Sequence, residues 1–319
     1  MRQPWLSVLM PTYNGEAYLS STLESIVCQE TEDLECIVVD SGSTDGTISI
    51  LDSYKSKLSI RILYPKDLNN WVSKTNYALQ YAQGKYVCFL HQDDLWFKNR
   101  LPTLRKLTDQ FPRVGFFLHP SRYIDNDGNF LGLWQCPLPP YPSVTSSNLF
   151  VEKLLVQNFI SIPAPLFKRE IIQNVGGMDE SLWYTADWDL WLKLGSNSEV
   201  LYYPQALSGF RIHPHSMTMT RSANIQDFRE QLEIVIKKYL EPLETDGEIK
   251  NGVSNVAHFS KEVNIALAGT MHGNRSLLPG LVASFLMLGP SGWYRYINDS
   301  RIVERISARV KGRLMHRKR

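Results

Sequence analysis

Two adjacent carboxylates, Asp93 and Asp94, follow the apolar run Tyr86 to Leu90, which has the pattern of a buried strand. Acids released at the carboxyl end of a strand stand where open α/β folds bind their ligands, placed to hold a metal, a sugar or a phosphate. A plainer reading stays open, in which Asp94 caps a helix starting near Lys98. A second such end is Ile37-Val38-Val39-Asp40-Ser41-Gly42-Ser43-Thr44-Asp45-Gly46-Thr47: strand, acid, Gly-containing loop, helix. Asp40 there can accept a hydrogen bond from a base or ribose, with Ser43 or Thr44 capping the helix, and an ordinary βα turn is the alternative. Further along, Arg211 and His213 suit a diphosphate clamp, because Arg offers a fork of donors and His donates or ligates metal.

These groups need a scaffold, and the chain supplies one by alternation. The β-rich runs Ser7–Met10, Cys36–Asp40, Ile60–Tyr64, Tyr86–Leu90 and Val114–Leu118 are separated by amphipathic stretches over 16–29, 47–54 and 73–82. That βαβ rhythm predicts an α/β fold with a largely parallel central sheet flanked by helices. Asp125–Asn129 reads as a hairpin turn, the proline-rich 137–142 as neither helix nor central strand, and 120–150 as irregular or antiparallel. Helices are expected over 148–157, 169–175 and 187–194, strands over 164–167, 200–203 and 206–212, and a long helix over 225–240. The organisation expected is therefore a catalytic domain over 1–220 and a helical C-terminal region with a basic tail over 221–319.

With 319 residues, 43% of them hydrophobic, the chain is long enough to bury one large core and a smaller appendage. Its four cysteines lack C-x-x-C spacing, which argues against structural zinc or a disulfide framework, and the N-terminal apolar run is too short for a secretory core. A cytoplasmic protein is expected. The formal charge of +2 is uneven: from Ser291 onward nine Lys or Arg face Asp299 and Glu304, a net +7, so residues 1–290 carry −5. The apolar segment over 277–288 falls short of the roughly 20 residues a spanning helix needs. Either it is a core helix followed by a solvated basic tail, or it lies on anionic lipid at the inner face of the cell membrane. No stacking motif or recognition-helix pattern supports a nucleic-acid partner.

Five motifs in order carry a resemblance: P-T-Y-N-G at 11–15, V-V-D-S-G-S-T-D-G-T at 38–47, L-H-Q-D-D-L-W at 90–96, G-G-M-D-E-S-L at 176–182 leading to A-D-W-D-L-W at 186–191, and F-R-I-H-P-H-S at 210–216. The chain resembles family 2 glycosyltransferases of the GT-A fold over roughly residues 5–220. The resemblance implies an inverting enzyme that uses a nucleotide-sugar as co-substrate and a divalent cation, Mn or Mg, as cofactor. It places Pro11, Thr12, Tyr13 and Glu16 beside the nucleotide, Asp40 on its base with Ser41 next to it, Asn76 facing the donor, and His91 and Gln92 along the same site. Asp93 matches the last acid of the family's D-x-D motif and is the implied metal ligand, with Asp94 as understudy and His213 as phosphate or metal contact. Asp187 matches the general base that takes the proton from the acceptor hydroxyl. Trp183 and Trp188 are weaker candidates for stacking on sugar faces, and Asp189 is expected to be structural.

Two departures stand out: His91 occupies the place of the first D-x-D acid, and Ser41 that of the second acid of the usual D-D-G-S. The implied reaction is transfer of a sugar from a UDP-linked donor to a glycan or lipid-linked glycan in cell-surface polysaccharide synthesis. A catalytically weak sugar-nucleotide-binding scaffold of a glycan assembly complex is the alternative, motivated by His91 and the basic tail.

Overall fold

The computed structural model describes residues 3–29, 31–213, 224–245, 252–271 and 278–316. Its first strands are β1 (Leu6–Thr12), β2 (Leu34–Asp40), β3 (Ile60–Leu63) and β4 (Tyr86–Phe89), linked by helices α1 (Glu16–Val27), α2 (Thr47–Tyr54) and α3 (Trp71–Tyr81). After β4 come β5 (Leu95–Trp96), α4 (Arg100–Gln110), β6 (Phe116–Leu118), the antiparallel pair β7 (Ser121–Ile124) and β8 (Phe130–Trp134), β9 (Ser143–Thr145) and α5 (Ser147–Val156). Then follow β10 (Leu166–Lys168), α6 (Arg169–Asn174), α7 (Ala186–Asn197), β11 (Val200–Tyr202) and β12 (Ser208–Arg211). Among the described residues five helices follow: α8 (Ile225–Thr245), α9 (Val253–Met271), α10 (Leu278–Met287), α11 (Gly289–Ser300) and α12 (Ile302–His316).

The main sheet has the order β3-β2-β1-β4-β10-β6-β11-β9, and a smaller one the order β5-β12-β7-β8. β3, β2, β1 and β4 run parallel, as do β6 and β11, while β10 and β9 run against their neighbours. The largely parallel α/β sheet is thus as expected. Because β1, β2 and β4 are parallel, their carboxyl ends share one edge, where Thr12 and Asp40 are register partners and His91–Asp94 emerge just past β4.

The period-two alternation of side chains divides these strands between two cores. Leu6, Val8, Met10, Cys36, Val38, Tyr86 and Cys88 face one cluster, packed by Leu19, Leu23, Leu51, Leu101 and Leu104 of α1, α2 and α4. Leu9, Ile37, Val39, Val87 and Phe89 face the other, with Val72 of α3, Leu154 of α5 and Trp191 of α7. Phe228, Leu232, Val235 and Ile236 of α8 and Ile265 of α9 belong to that second cluster too. The hydrophobic core therefore runs across the expected boundary near residue 220, itself outside the described residues along with Pro214, His215 and Ser216 of the last motif.

Two capping expectations are corrected. Helix α4 starts at Arg100 with Asn99 as its N-cap, and Asp94 instead accepts the backbone N–H of Arg211 at 3.0 Å. Helix α2 starts after Gly46, and its first turn is served by Asp45 Oδ1, which accepts from Thr47 N at 3.0 Å.

Gly84 is a close-approach position: a Cβ there would stand 2.5 Å from Ser7 N, 2.7 Å from Tyr86 O and 2.8 Å from Leu6 C, all backbone atoms of paired strands. Gly280 in α10 has nothing within 4 Å of that point. Gly84→Ala should cost about 1–3 kcal/mol in urea denaturation, whereas Gly280→Ala should be neutral or stabilising; equal stabilities for the two variants would contradict this packing.

Candidate active site

The first wall is knitted from two loops at the sheet edge. Asp40, at the end of β2, accepts Gly42 N at 2.9 Å and Ser43 N at 2.8 Å on Oδ1, and Thr12 Oγ1 at 2.9 Å and Ser43 Oγ at 2.6 Å on Oδ2. Gly42 takes φ +89°, a conformation that a residue without Cβ adopts freely. Asn14 N donates to Ser43 Oγ, Thr44 N to Asn14 Oδ1, Gly15 N to Thr47 Oγ1, and Glu16 N to Asp45 Oδ2. Glu16 in turn accepts Gly46 N at 3.0 Å. Gln92 exchanges two hydrogen bonds with the Tyr13 backbone, at 2.9 and 3.1 Å, and so joins the loop after β1 to the turn after β4. Pro11 is buried at the end of β1, Tyr13 is exposed, and Ser41 is half-buried beside Asp40.

Asp40 and Glu16 were expected on the nucleotide itself. Here their oxygens accept N–H groups that the short βα turns leave open, alongside Ser43, Asn14 and Thr47. Lys74, which sequence reasoning missed, lies in the first turn of α3 and donates through Nζ to Thr12 O at 2.8 Å. Its one signal in the sequence was its place just inside a helix that follows a strand, at the ligand-binding edge of the sheet.

The second wall is the turn His91–Asp94 and what holds it. Asp93 Oδ2 pairs with His213 Nε2 at 2.9 Å, and the His213 ring lies against Tyr18 with centroids 4.8 Å apart. Burial pushes the Asp93 carboxyl up, but the His213 hydrogen bond and the His91 and His213 charges outweigh it and hold it below the usual carboxylate range. Asp94 goes the other way: burial and the Asp93 charge raise it well above that range, with the Arg211 N–H and guanidinium only partly offsetting them. Its Oδ2 is buried with no partner among the described residues. The two neighbouring carboxyls are thus pushed in opposite directions. His91, in the place of the missing acid, is pushed down by burial and stands edge-on to Trp71, ring centroids 5.3 Å apart.

Arg211 is a correction. Nε donates to Asp93 O at 2.8 Å and Nη1 to Asp125 O and Asn126 O at 2.8 and 2.7 Å. A buried guanidinium with these bonds is first a clamp on backbone, and only Nη2, 3.5 Å from Ser21 Oγ, keeps donors to spare. Asn76 is another: Nδ2 donates to Met178 O and to Glu180 Oε1, and Oδ1 accepts Met178 N, each at 2.9 Å. It staples the Gly176-Gly177-Met178 turn, where Gly177 has φ +71° and a Cβ would fall 2.7 Å from Asn76 Oδ1.

The third element is Asp187, in the first turn of α7. Oδ1 accepts Trp188 N at 2.7 Å and Oδ2 accepts Asn158 Nδ2 at 3.2 Å. Burial raises its carboxyl to about 6, against the pull of these two donors. Asn158, past the end of α5, carried no sequence signal. Trp71 links this element to the second wall, since its Nε1 donates to Trp183 O at 3.0 Å while its ring meets His91. Trp188 donates to Leu154 O and is buried, and Trp183 Nε1 donates to Asp227 Oδ2, so neither indole N–H faces a ligand. Asp189 is structural as expected, with Lys193, Lys238 and Tyr239 on its carboxylate.

Among the described residues no group of three or more His, Cys, Asp or Glu side chains is placed to hold a metal by itself. Asp93 alone, ionised and held by His213, fits a hard cation whose other ligands are diphosphate oxygens and water, the usual manner for Mg²⁺. His213 fits as the group that orients this ligand, since its Nε2 is spent on Asp93.

The chain is similar in sequence and in fold to known proteins. An uncharacterized glycosyltransferase of Rickettsia typhi (strain ATCC VR-144 / Wilmington) is 26% identical over 264 residues, covering 81% of this chain and 80% of the relative. TuaG of Bacillus subtilis (strain 168), named for teichuronic acid biosynthesis, is 40% identical over 100 residues, 31% of this chain and 40% of its own. In fold, the chain is similar to S. aureus TarS 1-349 in complex with UDP-GlcNAc, with TM-score 0.61 and 17% identity over 98% of this chain and 92% of that one. It is also similar to the mannosyltransferase PcManGT of Pyrobaculum calidifontis in complex with GDP-Man and Mn²⁺, with TM-score 0.53 and 19% identity over 98% and 88%. These are GT-A architectures. The model of glycosyl transferase family 2 matches residues 7–176, more than half of the sequence, and the chain belongs to that family.

Proposed function

We propose that the protein transfers a sugar, with inversion, from a UDP-sugar to a glycan or lipid-linked glycan in cell-surface polysaccharide synthesis, with a divalent cation at Asp93. The carrying observation is Asp187: a carboxylate raised to about 6 and oriented by two donors is tuned as a general base near neutral pH. The bound nucleotide-sugars of TarS and PcManGT, the Mn²⁺ of PcManGT and the naming of TuaG support the donor class, the cation and the setting.

In this reading, the loops after β1 and β2 seat the nucleotide, and the turn carrying Asp93 meets its diphosphate. A divalent cation bound there supplies charge neutralisation on the departing diphosphate. Asp187 accepts the proton of the acceptor hydroxyl as that oxygen attacks the anomeric carbon from the face opposite the leaving group. Asn158 and Trp188 N hold both carboxylate oxygens, so the base keeps one orientation through the step.

The C-terminal helices support a peripheral membrane contact. No helix among the described residues is long and apolar enough to cross a membrane. Yet α10 contains no charged residue, and while Leu281 and Phe285 pack inward, Val282, Leu286 and Met287 are 64%, 61% and 80% exposed. A helix apolar on both faces and half exposed fits the headgroup boundary of a bilayer, and the basic residues after 308 favour anionic lipid.

Asp187→Asn should lower kcat by about 10²–10⁴-fold and leave UDP affinity unchanged; equal loss of both would remove its role as base. Wild-type kcat should fall as pH drops through about 6, where Asp187 takes up its proton. Asn158→Leu deletes a hydrogen bond that favours the ionised form, so this acid limb should move to higher pH; an unmoved limb would contradict the pairing. Asp93→Asn should abolish the Mn²⁺ dependence of UDP binding in calorimetry, and normal Mn²⁺-dependent binding by that variant would exclude Asp93 as ligand. On liposomes, Leu286→Asp with Val282→Asp should reduce flotation with anionic vesicles, and undiminished flotation would reject the membrane face.

A further inference from the structure

Toward the other end of the main sheet from the nucleotide loops lies an open cleft of about 580 Å³, walled by the proline-rich segment 137–141, β9, α5 and the turn between α11 and α12. Two cations line it, Arg301 and Lys153. Arg301 Nε is buried with no partner among the described residues, and so is Ser143 Oγ on the same cleft. Buried polar atoms are paired as a rule, so two orphans on one cleft point to a partner from outside the chain. Glu304 stands 3.7 Å from Arg301 Nη1, beyond hydrogen-bond reach. Lys153 spends one donor on Asp299 Oδ1 at 2.7 Å and keeps two. The Arg301 charge is felt inside the sheet: burial pushes the Cys136 thiol and the Tyr202 hydroxyl up, and Arg301 pulls against it at both. Arg301 also takes φ +49°, the left-handed region where a helix ordinarily ends on glycine. A side chain retained against that strain is a mark of ligand clamps.

We propose that this cleft holds a charged unit of the acceptor chain, with its carboxylate or phosphate on Arg301 and Lys153 and its ring against Tyr141. The inference rests on the transferase reading above and names the acceptor class, a polyanionic glycan. Tyr141 is 61% exposed on the cleft, an aromatic face open to a sugar ring. Tyr202 pairs with Leu118 and with Ser143, and β6 runs parallel to β4 across the antiparallel β10, so Ser143 lies on the same sheet edge as Thr12, Asp40 and the turn bearing Asp93. There β9 stands four strands beyond β4, about 19 Å at the usual strand spacing, on the side away from the nucleotide loops. Helix α5 spans the two sites: Leu149 and Lys153 line the cleft, and Asn158 just past its end bonds Asp187. A chain with its terminal hydroxyl at Asp187 thus meets the cleft further back along its length. From Ser291 onward the sequence carries net +7 against −5 before it, a field that draws a polyanion to this end. None of the exposed apolar residues of α10 lines the cleft, which separates it from the membrane face.

The test is calorimetry of the full-length protein with UDP and Mn²⁺ present, comparing wild type with Arg301→Gly. The probes are hexagalacturonate, its fully methyl-esterified form, a glycerol phosphate hexamer and inorganic phosphate. Glycine suits the left-handed turn, so the variant should keep or raise its melting temperature while the anion site is lost. Wild type should bind at least one anionic hexamer about 10-fold or more tightly than the neutral ester, the worth of a hydrogen bond to a charged group, and the hexamer chosen tells carboxylate from phosphate. Arg301→Gly should erase that preference and leave UDP affinity unchanged. Should that variant not fold, Tyr141→Ala decides: it should weaken the anionic hexamer by about 3-fold or more, and unchanged binding overturns the assignment. UDP bound with neither hexamer held above the ester, or a preference untouched by Arg301→Gly, would overturn this inference alone. Wild type that binds no UDP would overturn the donor reading and this inference with it. Inorganic phosphate bound as tightly as either hexamer would mark a site for free phosphate and overturn the glycan assignment. Flotation on anionic vesicles lost in Arg301→Gly, with hexamer binding intact, would overturn it in favour of lipid.

Discussion

The Arg211 clamp is the constraint on which the site depends. Its guanidinium and its backbone N–H together hold Asp93 O, Asp94 Oδ1, Asp125 O and Asn126 O. One buried residue thereby ties β12 to the turn after β4 and to the hairpin between β7 and β8. A buried cation is stable only when its donors are satisfied, so the three segments are positioned mutually. His213, two residues beyond Arg211, then meets Asp93 without further adjustment. The smaller sheet is what delivers Arg211 there, since β12 is paired on one side with β5 and on the other with β7.

Three carboxylates around this framework are set to three different tasks by environment alone. Asp93 has a histidine partner and is held below the usual carboxylate range, Asp94 is raised well above it by burial and the like charge beside it, and Asp187 is lifted to about 6 by burial against two hydrogen-bond donors. Pairs of acids pushed apart in this way mark a site where charge is managed. The histidine at position 91 fits the same economy: where an acid would add a third carboxyl to the turn, a buried imidazole adds none and packs on Trp71. Trp71 then carries the geometry onward to the segment before Asp187.

The parallel strands and their helices were legible because each signal was local: period-two runs such as Val38–Asp40 and 3.6-period faces such as Leu19, Leu23 and Ile26. The acids at the strand ends were legible for the same reason. What was not legible depended on partners far along the chain. Asp94 looked like a helix cap because its partner lies 117 positions away, and Arg211 looked like a phosphate fork because its carbonyls belong to two other segments. Asn76 shows the same limit, with its amide spent on a turn about 100 residues downstream. Lys74 was missed altogether, since nothing nearby in sequence announces the carbonyl of Thr12 or the charge of Asp40.

One central claim joins these elements: a single displacement, with Asp187 activating the acceptor on the face opposite the departing diphosphate. The most direct measurement is proton NMR of the first-formed glycoside from an α-linked UDP-sugar. A β-configured anomeric proton is the predicted result. A product that keeps the α configuration would contradict the account, because retention requires either a covalent intermediate or same-face attack, and neither uses Asp187 as proposed.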